Sequence, residues 1–119
     1  MSMLDKIRDV LEQRGKTYYG NATPKDNEPW NYYVFRRVVL RKSGTGGTDF
    51  RRHYMVAIIK ENYIPEGEEF EVIKEIREAT RMRLADADIT YGYTHKGATD
   101  LVVEVAVITF SEPIKGCEI

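Results

Sequence analysis

Cysteine is almost absent from this sequence, which has a single one, Cys117, near its end. One cysteine cannot form an intrachain disulfide, and one cysteine with two histidines cannot build a standard structural zinc site. No apolar run approaches the roughly 20 residues of a membrane-spanning helix, and the first residues lack the apolar core of a signal peptide. These absences argue against secreted, zinc-module and membrane classes, and they predict a protein made and used in a cytoplasm without a membrane partner.

The sequence also lacks an excess of positive or of negative residues. Lys and Arg total 18, Asp and Glu total 19, and the formal net charge of the 119 residues is -1. A near-neutral balance argues against a protein that coats nucleic acid, because such a protein needs many phosphate contacts. With 42% hydrophobic residues the chain is apolar enough for one core, so we expect a single domain over 1–119.

Hydrophobic periodicity predicts two helices and two hairpins. The fold class we expect is α+β in the order α-β-β-α-β-β, with a mainly antiparallel sheet and two helices packed on one face. The alternation of polar and apolar residues is imperfect at Arg36 and Arg37, which indicates either a β-bulge or a strand that is partly covered on both faces. The helices are predicted over 3–14 and 66–84, the first hairpin has strands over 31–41 and 49–61, and the second pairs 89–93 with 101–110.

The segments between these elements read as loops. Glycine, proline and asparagine predict long loops over 15–30 and 42–48, and residues 111–119 read as a C-terminal tail after a strand that ends before Pro113. Tyr18, Tyr19 and Trp30 are the apolar residues expected to hold the first loop against the body. In the second helix, the expected apolar stripe consists of Phe70, Ile73, Ile76, Thr80 and Leu84.

No catalytic constellation stands out. The glycines of segment 44–47 precede a strand, whereas a nucleotide loop precedes a helix. Neither His53 nor His95 has a second metal-type ligand at useful spacing, and the pair Asp86 and Asp88 follows a helix, where loops are commonly acidic. An enzyme whose site forms between subunits is therefore the weakest hypothesis. We therefore expect no enzyme activity, no catalytic residue, no cofactor and no metal.

Charge is distributed unevenly along the chain. A basic first hairpin has one acid, Asp49, between positions 36 and 52, while the second helix is rich in glutamate. Such patches are either two solvated faces, or they suit phosphate binding or self-assembly, in which the basic patch of one subunit docks on the acidic patch of the next. The candidate interface residues are Arg36, Arg37, Arg41, Lys42, Arg51 and Arg52 in the hairpin, and Glu68, Glu71 and Glu75 in the helix.

The order of elements resembles the tail terminator, or tail completion, proteins of long-tailed bacteriophages and prophages. The resemblance is carried by the helix Leu4 to Arg14, the strand Tyr32-Tyr33-Val34-Phe35, its partner Tyr54 to Ile59, the helix Phe70 to Leu84 and the final strand Val105 to Phe110. It covers nearly the whole chain and includes no catalytic motif. Head–tail joining proteins are similar in size and resemble the chain too.

The resemblance implies a structural role in virion assembly. Family members form homo-oligomeric rings, typically hexameric, that cap the tail tube and join it to the head. The implied partners are other copies of the chain, the tail tube protein and the head–tail connector protein, while DNA passes through the lumen without specific reading. The implied location is the host cytoplasm during assembly and then the tail or neck of the virion. The hairpin tip, Arg41 to Thr48, is the expected partner-contacting loop, and the loop over 16–30 is the second.

The alternative is a small nucleic-acid-binding module that uses the basic β-hairpin. It is motivated by the arginines beside Tyr32, Tyr33 and Tyr54. Reversing the charges of Arg51 and Arg52 would then abolish a salt-sensitive shift of DNA or RNA.

Overall fold

The structure is a computed structural model that describes residues 1–43 and 49–115. The hairpin tip over 44–48 and the last four residues, with Cys117, lie outside the described residues. Neither helix in the described ranges is long and apolar enough to cross a membrane. The elements are α1 (Met3–Arg14), β1 (Lys16–Tyr19), β2 (Tyr32–Ser43), β3 (Asp49–Glu61), α2 (Glu68–Thr80), β4 (Arg83–Leu84), β5 (Thr90–His95) and β6 (Val102–Ile114).

The first helix begins and ends where its sequence predicts. The Ser2 hydroxyl accepts a hydrogen bond from the amide of Asp5, and the Asp5 carboxylate accepts one from the amide of Ser2, which forms a capping box. At the other end, the amide of Gly15 donates to the carbonyl of Leu11. Ile7 and Leu11, one turn apart, are fully buried, so this short helix is fixed by its cap and by one apolar face.

The strands form one mainly antiparallel sheet, and the prediction of an α+β fold is confirmed. The order is β1-β2-β3-β6-β4, and β5 also pairs with β6, so β4 and β5 follow one another along the same outer edge. Only β1 runs parallel to its neighbour. The register of β2 and β3 shifts between Arg37 and Val39, so of the two interpretations of the broken alternation the structure shows the bulge.

Several predicted boundaries are wrong. Residues 16–19, predicted as loop, form β1, because a Thr-Tyr-Tyr run suits a strand but four residues are too few to show alternation. The second helix ends at Thr80 rather than 84, because Arg81 takes a left-handed conformation and Leu84 continues into β4. The strand β2 reaches Ser43, and β6 continues through Pro113 to Ile114, so neither the predicted loop at 42 nor the predicted tail at 111 begins where expected.

Both helices pack on the same face of the sheet. Ile7 and Leu11 of α1 join Val72 and Ile76 of α2 in one cluster with the inward side chains of the three long strands. These strand side chains recur at every second position, as the pleat requires. They are Tyr33 and Phe35 of β2, Tyr54, Val56 and Ile58 of β3, and Ala106, Ile108 and Phe110 of β6. Phe70, predicted in the apolar stripe, is instead 72% exposed, and Val72 takes the inward position.

No helix of the described chain covers the other face of the sheet, which we call the open face. At one end of it Trp30, Tyr32, Val34 and Ile59 form a second apolar cluster. The segment before β2 closes over this end, because the Trp30 indole donates to the carbonyl of Lys25 and the Trp30 amide donates to Glu61. Trp30 therefore holds this segment as expected, Tyr18 is partly buried beside it, and Tyr19 is about half exposed.

Candidate functional site

A three-stranded extension of the sheet contributes no residue to the core that the helices share, and we call it the arm. It consists of Val38–Ser43 of β2, Asp49–His53 of β3 and Ser111–Ile114 of β6. The molecule is 51 Å long and about 25 Å across in the other two directions. Since a strand advances about 3.3 Å per residue and a helix only 1.5 Å, strands of 12 or 13 residues outrun helices of the same length.

The bulge decides which way the basic residues of the arm point. Val38 is the extra residue in β2, so the alternation of side chains shifts by one position after it. Arg41, paired with Arg51, thereby comes to the open face, where Arg36 also lies. The six predicted cations thus divide by register into Arg36, Arg41 and Arg51 on the open face and Arg37, Lys42 and Arg52 on the helix side.

On the open face the arm borders a cleft of about 560 Å³. Arg41, Arg51 and His53 of the arm line one side of it. The other side is lined by Arg83 of β4 and by the exposed Asp86, which follows β4. Burial, followed by the positive charges of Arg41 and Arg51, lowers the pKa of His53 below its usual value. We call this the basic cleft.

Three acidic residues of α2 have partners of opposite charge within the chain. Glu68 is buried, accepts the Tyr33 hydroxyl at 2.6 Å and lies 3.6 Å from Lys60. Arg14 of α1 lies 2.7 Å from Glu75 and 3.5 Å from Glu71. Burial, and then the bond to Glu68, raises the pKa of Tyr33 to about 12. Glu68 therefore does not present its carboxylate to a partner, a correction to its prediction as an interface residue, while Glu71 remains well exposed.

Exposed aromatic side chains gather around the start of α2 instead. Tyr91 of β5 donates to Glu69, and Tyr93 donates to Glu104 at 2.8 Å. Glu104 also accepts the amide of Ile64 at 2.7 Å. These bonds connect strand β5 with the start of α2, and at least half of each of four aromatic side chains stays exposed. We call this the aromatic surface; its members are Tyr63, Phe70, Tyr91 and Tyr93.

Only some of the residues singled out from the sequence lie together in the structure. The structure brings Arg41 and Arg51 together with His53 and Asp86, whereas His95 lies on β5, away from the basic cleft. Sequence reasoning missed Arg83, which joins them only because β4 pairs with Ser111 of β6. It also missed the aromatic surface, whose tyrosines are ordinary strand residues until their exposure is known. Among the described residues, no group of three or more His, Cys, Asp or Glu side chains is arranged to hold a metal ion.

The chain matches no model of a protein family, and no curated protein sequence matches it.

Proposed function

We propose that the protein is a non-enzymatic assembly subunit, a ring-forming tail terminator that caps a phage tail tube and joins it to the head. The assembly part is supported by one observation: a basic, apolar strand edge and an acidic, aromatic surface are exposed on opposite edges of the same sheet. The tail-specific part rests on the resemblance in element order.

The first docking surface is the outer edge of the arm. Val38, Val39 and Leu40 are between 36% and 52% exposed, and they lie beside Arg37 and Lys42. Strand β1 pairs with β2 only as far as Phe35, so beyond it the outer edge of β2 has no strand partner within the described ranges. A long apolar edge of this kind invites pairing with another chain, and contiguous exposed apolar residues mark interaction sites.

The second docking surface is the aromatic surface with its flanking acids. All six residues of β5 are exposed, and the edge of β5 away from β6 pairs with no strand in the part of the chain described. Glu66 and Glu71 are exposed next to Phe70 at the start of α2. Exposed tyrosine and phenylalanine are enriched in protein interfaces, and the acidic flank complements the basic arm.

The positions of the two surfaces predict the symmetry of assembly. The arm edge belongs to β2 and the aromatic surface to β5, on the two sides of the same sheet. Contact between unlike surfaces is head-to-tail, and it generates a closed ring when the rotation between subunits closes. A ring of this kind is what the resemblance implies, so fold geometry and family resemblance support the same proposal.

The experiment is to mix the protein with polymerised tail-tube subunits from the same genome and to image the tubes by electron microscopy. We expect rings at one end of the tubes and no further tube growth. The double variant Leu40→Glu/Lys42→Glu places two negative charges at the arm edge and is expected to abolish rings and capping.

The matched control is Lys25→Glu, which reverses one charge at an exposed position outside both docking surfaces and is expected to cap normally. Tubes that remain uncapped with the wild-type protein would refute the tail terminator proposal. Capping by the double variant would refute the arm as the docking surface.

A further inference from the structure

We propose that the basic cleft is a binding site for a phosphate group. Its guanidinium groups come from three strands, which converge on one cavity only in the folded chain: Arg41 from β2, Arg51 from β3 and Arg83 from β4. This inference does not depend on ring formation, because every residue that lines the cleft belongs to a single chain.

The arrangement of charges in the cleft calls for an anion. Arg41 and Arg51 are directly opposite each other in the antiparallel ladder, where like charges destabilise a sheet. None of the ion pairs between described residues involves Arg41, Arg51 or Arg83. The one carboxylate that lines the cleft is that of Asp86, against three guanidinium groups. An anion between the arginines would relieve this repulsion.

The cleft is also organised in advance of binding. The Nε of Arg51 donates to the hydroxyl of the buried Ser111 at 2.7 Å, which fixes the plane of the guanidinium. Arg83 is paired by backbone to the same Ser111, so β4 holds it at the cleft wall. Burial, and then the charges of Arg41 and Arg51, lower the pKa of His53 and so favour the neutral imidazole, which has one N–H donor beside the arginines.

The donor set favours phosphate over other anions. Guanidinium groups present paired N–H donors whose spacing fits two oxygens of one phosphate. Three of them around one site suit a tetrahedral anion with several oxygens better than a planar carboxylate. A cavity of about 560 Å³ exceeds the size of a single phosphate, so it also admits the group to which the phosphate is attached.

The test is a titration of the full chain with inorganic phosphate, monitored by the imidazole NMR signals of His53. We expect a saturable shift of these signals. The variant Arg41→Gln/Arg51→Gln is expected to weaken binding by at least about tenfold, because it removes two of the charged donors that would contact the phosphate oxygens.

The matched control is Lys42→Gln/Arg52→Gln. It also removes two positive charges, one from β2 and one from β3, but from the helix side of the arm. It is expected to leave the affinity within about twofold, because screening at moderate salt weakens effects at a distance. The single variant Arg83→Gln provides a second cleft variant at an exposed position, in case the double variant folds poorly.

A parallel titration with a short DNA duplex distinguishes the sources of the phosphate. Binding of both ligands, with the same sensitivity to the cleft variants, would identify a nucleic-acid backbone; binding of inorganic phosphate alone would identify a small phosphorylated compound. Either result supports the site. No saturable shift of His53 with either ligand, or equal weakening by cleft and control variants, would overturn the proposal.

Discussion

Replacing Phe110 by alanine is expected to lower the free energy of unfolding by about 3–5 kcal/mol, because a fully buried phenyl ring is removed and its cavity is only partly refilled. Phe110 lies on β6 opposite Tyr54 of β3 and beside Leu84 of β4, and it has no exposed surface. Phe110 is also the last residue of β6 in the helix-covered core, and the arm begins at the next residue, Ser111. Urea unfolding followed by Trp30 fluorescence and circular dichroism measures the change.

The matched control is Phe70→Ala on α2, which removes the same ring from a side chain that is 72% exposed. We expect this change to alter the free energy of unfolding by no more than about 0.5 kcal/mol. Equal losses for the two variants would contradict the assignment of Phe110 to the core and of Phe70 to the surface.

Replacing Lys60 by methionine is expected to cost about 3 kcal/mol of folding free energy at neutral pH. The change leaves the carboxylate of Glu68 without its cation in a site that is 9% exposed, and an unpaired buried charge is strongly destabilising. Methionine has a similar length and volume, so the loss of packing is small. The loss therefore reports on the buried charge itself, and chemical denaturation measures it.

A second change tests the cause. In the double variant Lys60→Met/Glu68→Gln the charge is removed, while glutamine still accepts the Tyr33 hydroxyl, so most of the lost stability is expected to return. Lys74→Met, at an exposed position on α2, is the control and is expected to be nearly neutral. A double variant no more stable than Lys60→Met would show that the ion pair is not what stabilises this corner of the fold.

Local patterns in the sequence predict the long elements of this fold and miss the short ones. The cap at Ser2, the helix over 3–14 and the two hairpins follow from periodicity and turn chemistry, and even the bulge near Arg37 is visible as a broken alternation. Strands β1 and β4 have four and two residues, which is too short for any period. They form because a neighbouring strand offers a free edge, which is tertiary information.

The candidate site was predictable in its residue types but not in its geometry. The arginine-rich hairpin could be recognised from sequence, yet the division of its cations between two faces depends on one extra residue, Val38. Similarly, Glu68 is buried beside Lys60 and Glu75 pairs with Arg14, and both cations come from distant parts of the chain. Helical spacing also permits either Phe70 or Val72 to face the core, and only the packing decides.

The most direct test of head-to-tail assembly is to identify the neighbour of the arm in assembled rings. Equal amounts of ¹⁵N-labelled and unlabelled protein would be assembled on tail tubes, treated with a zero-length amine–carboxylate cross-linker and analysed by mass spectrometry. The account predicts links between Lys42 of one copy and Glu66 or Glu71 of another, seen as peptide pairs of mixed isotope. Rings in which Lys42 forms no such mixed pairs, or in which arm links only to arm, would contradict it.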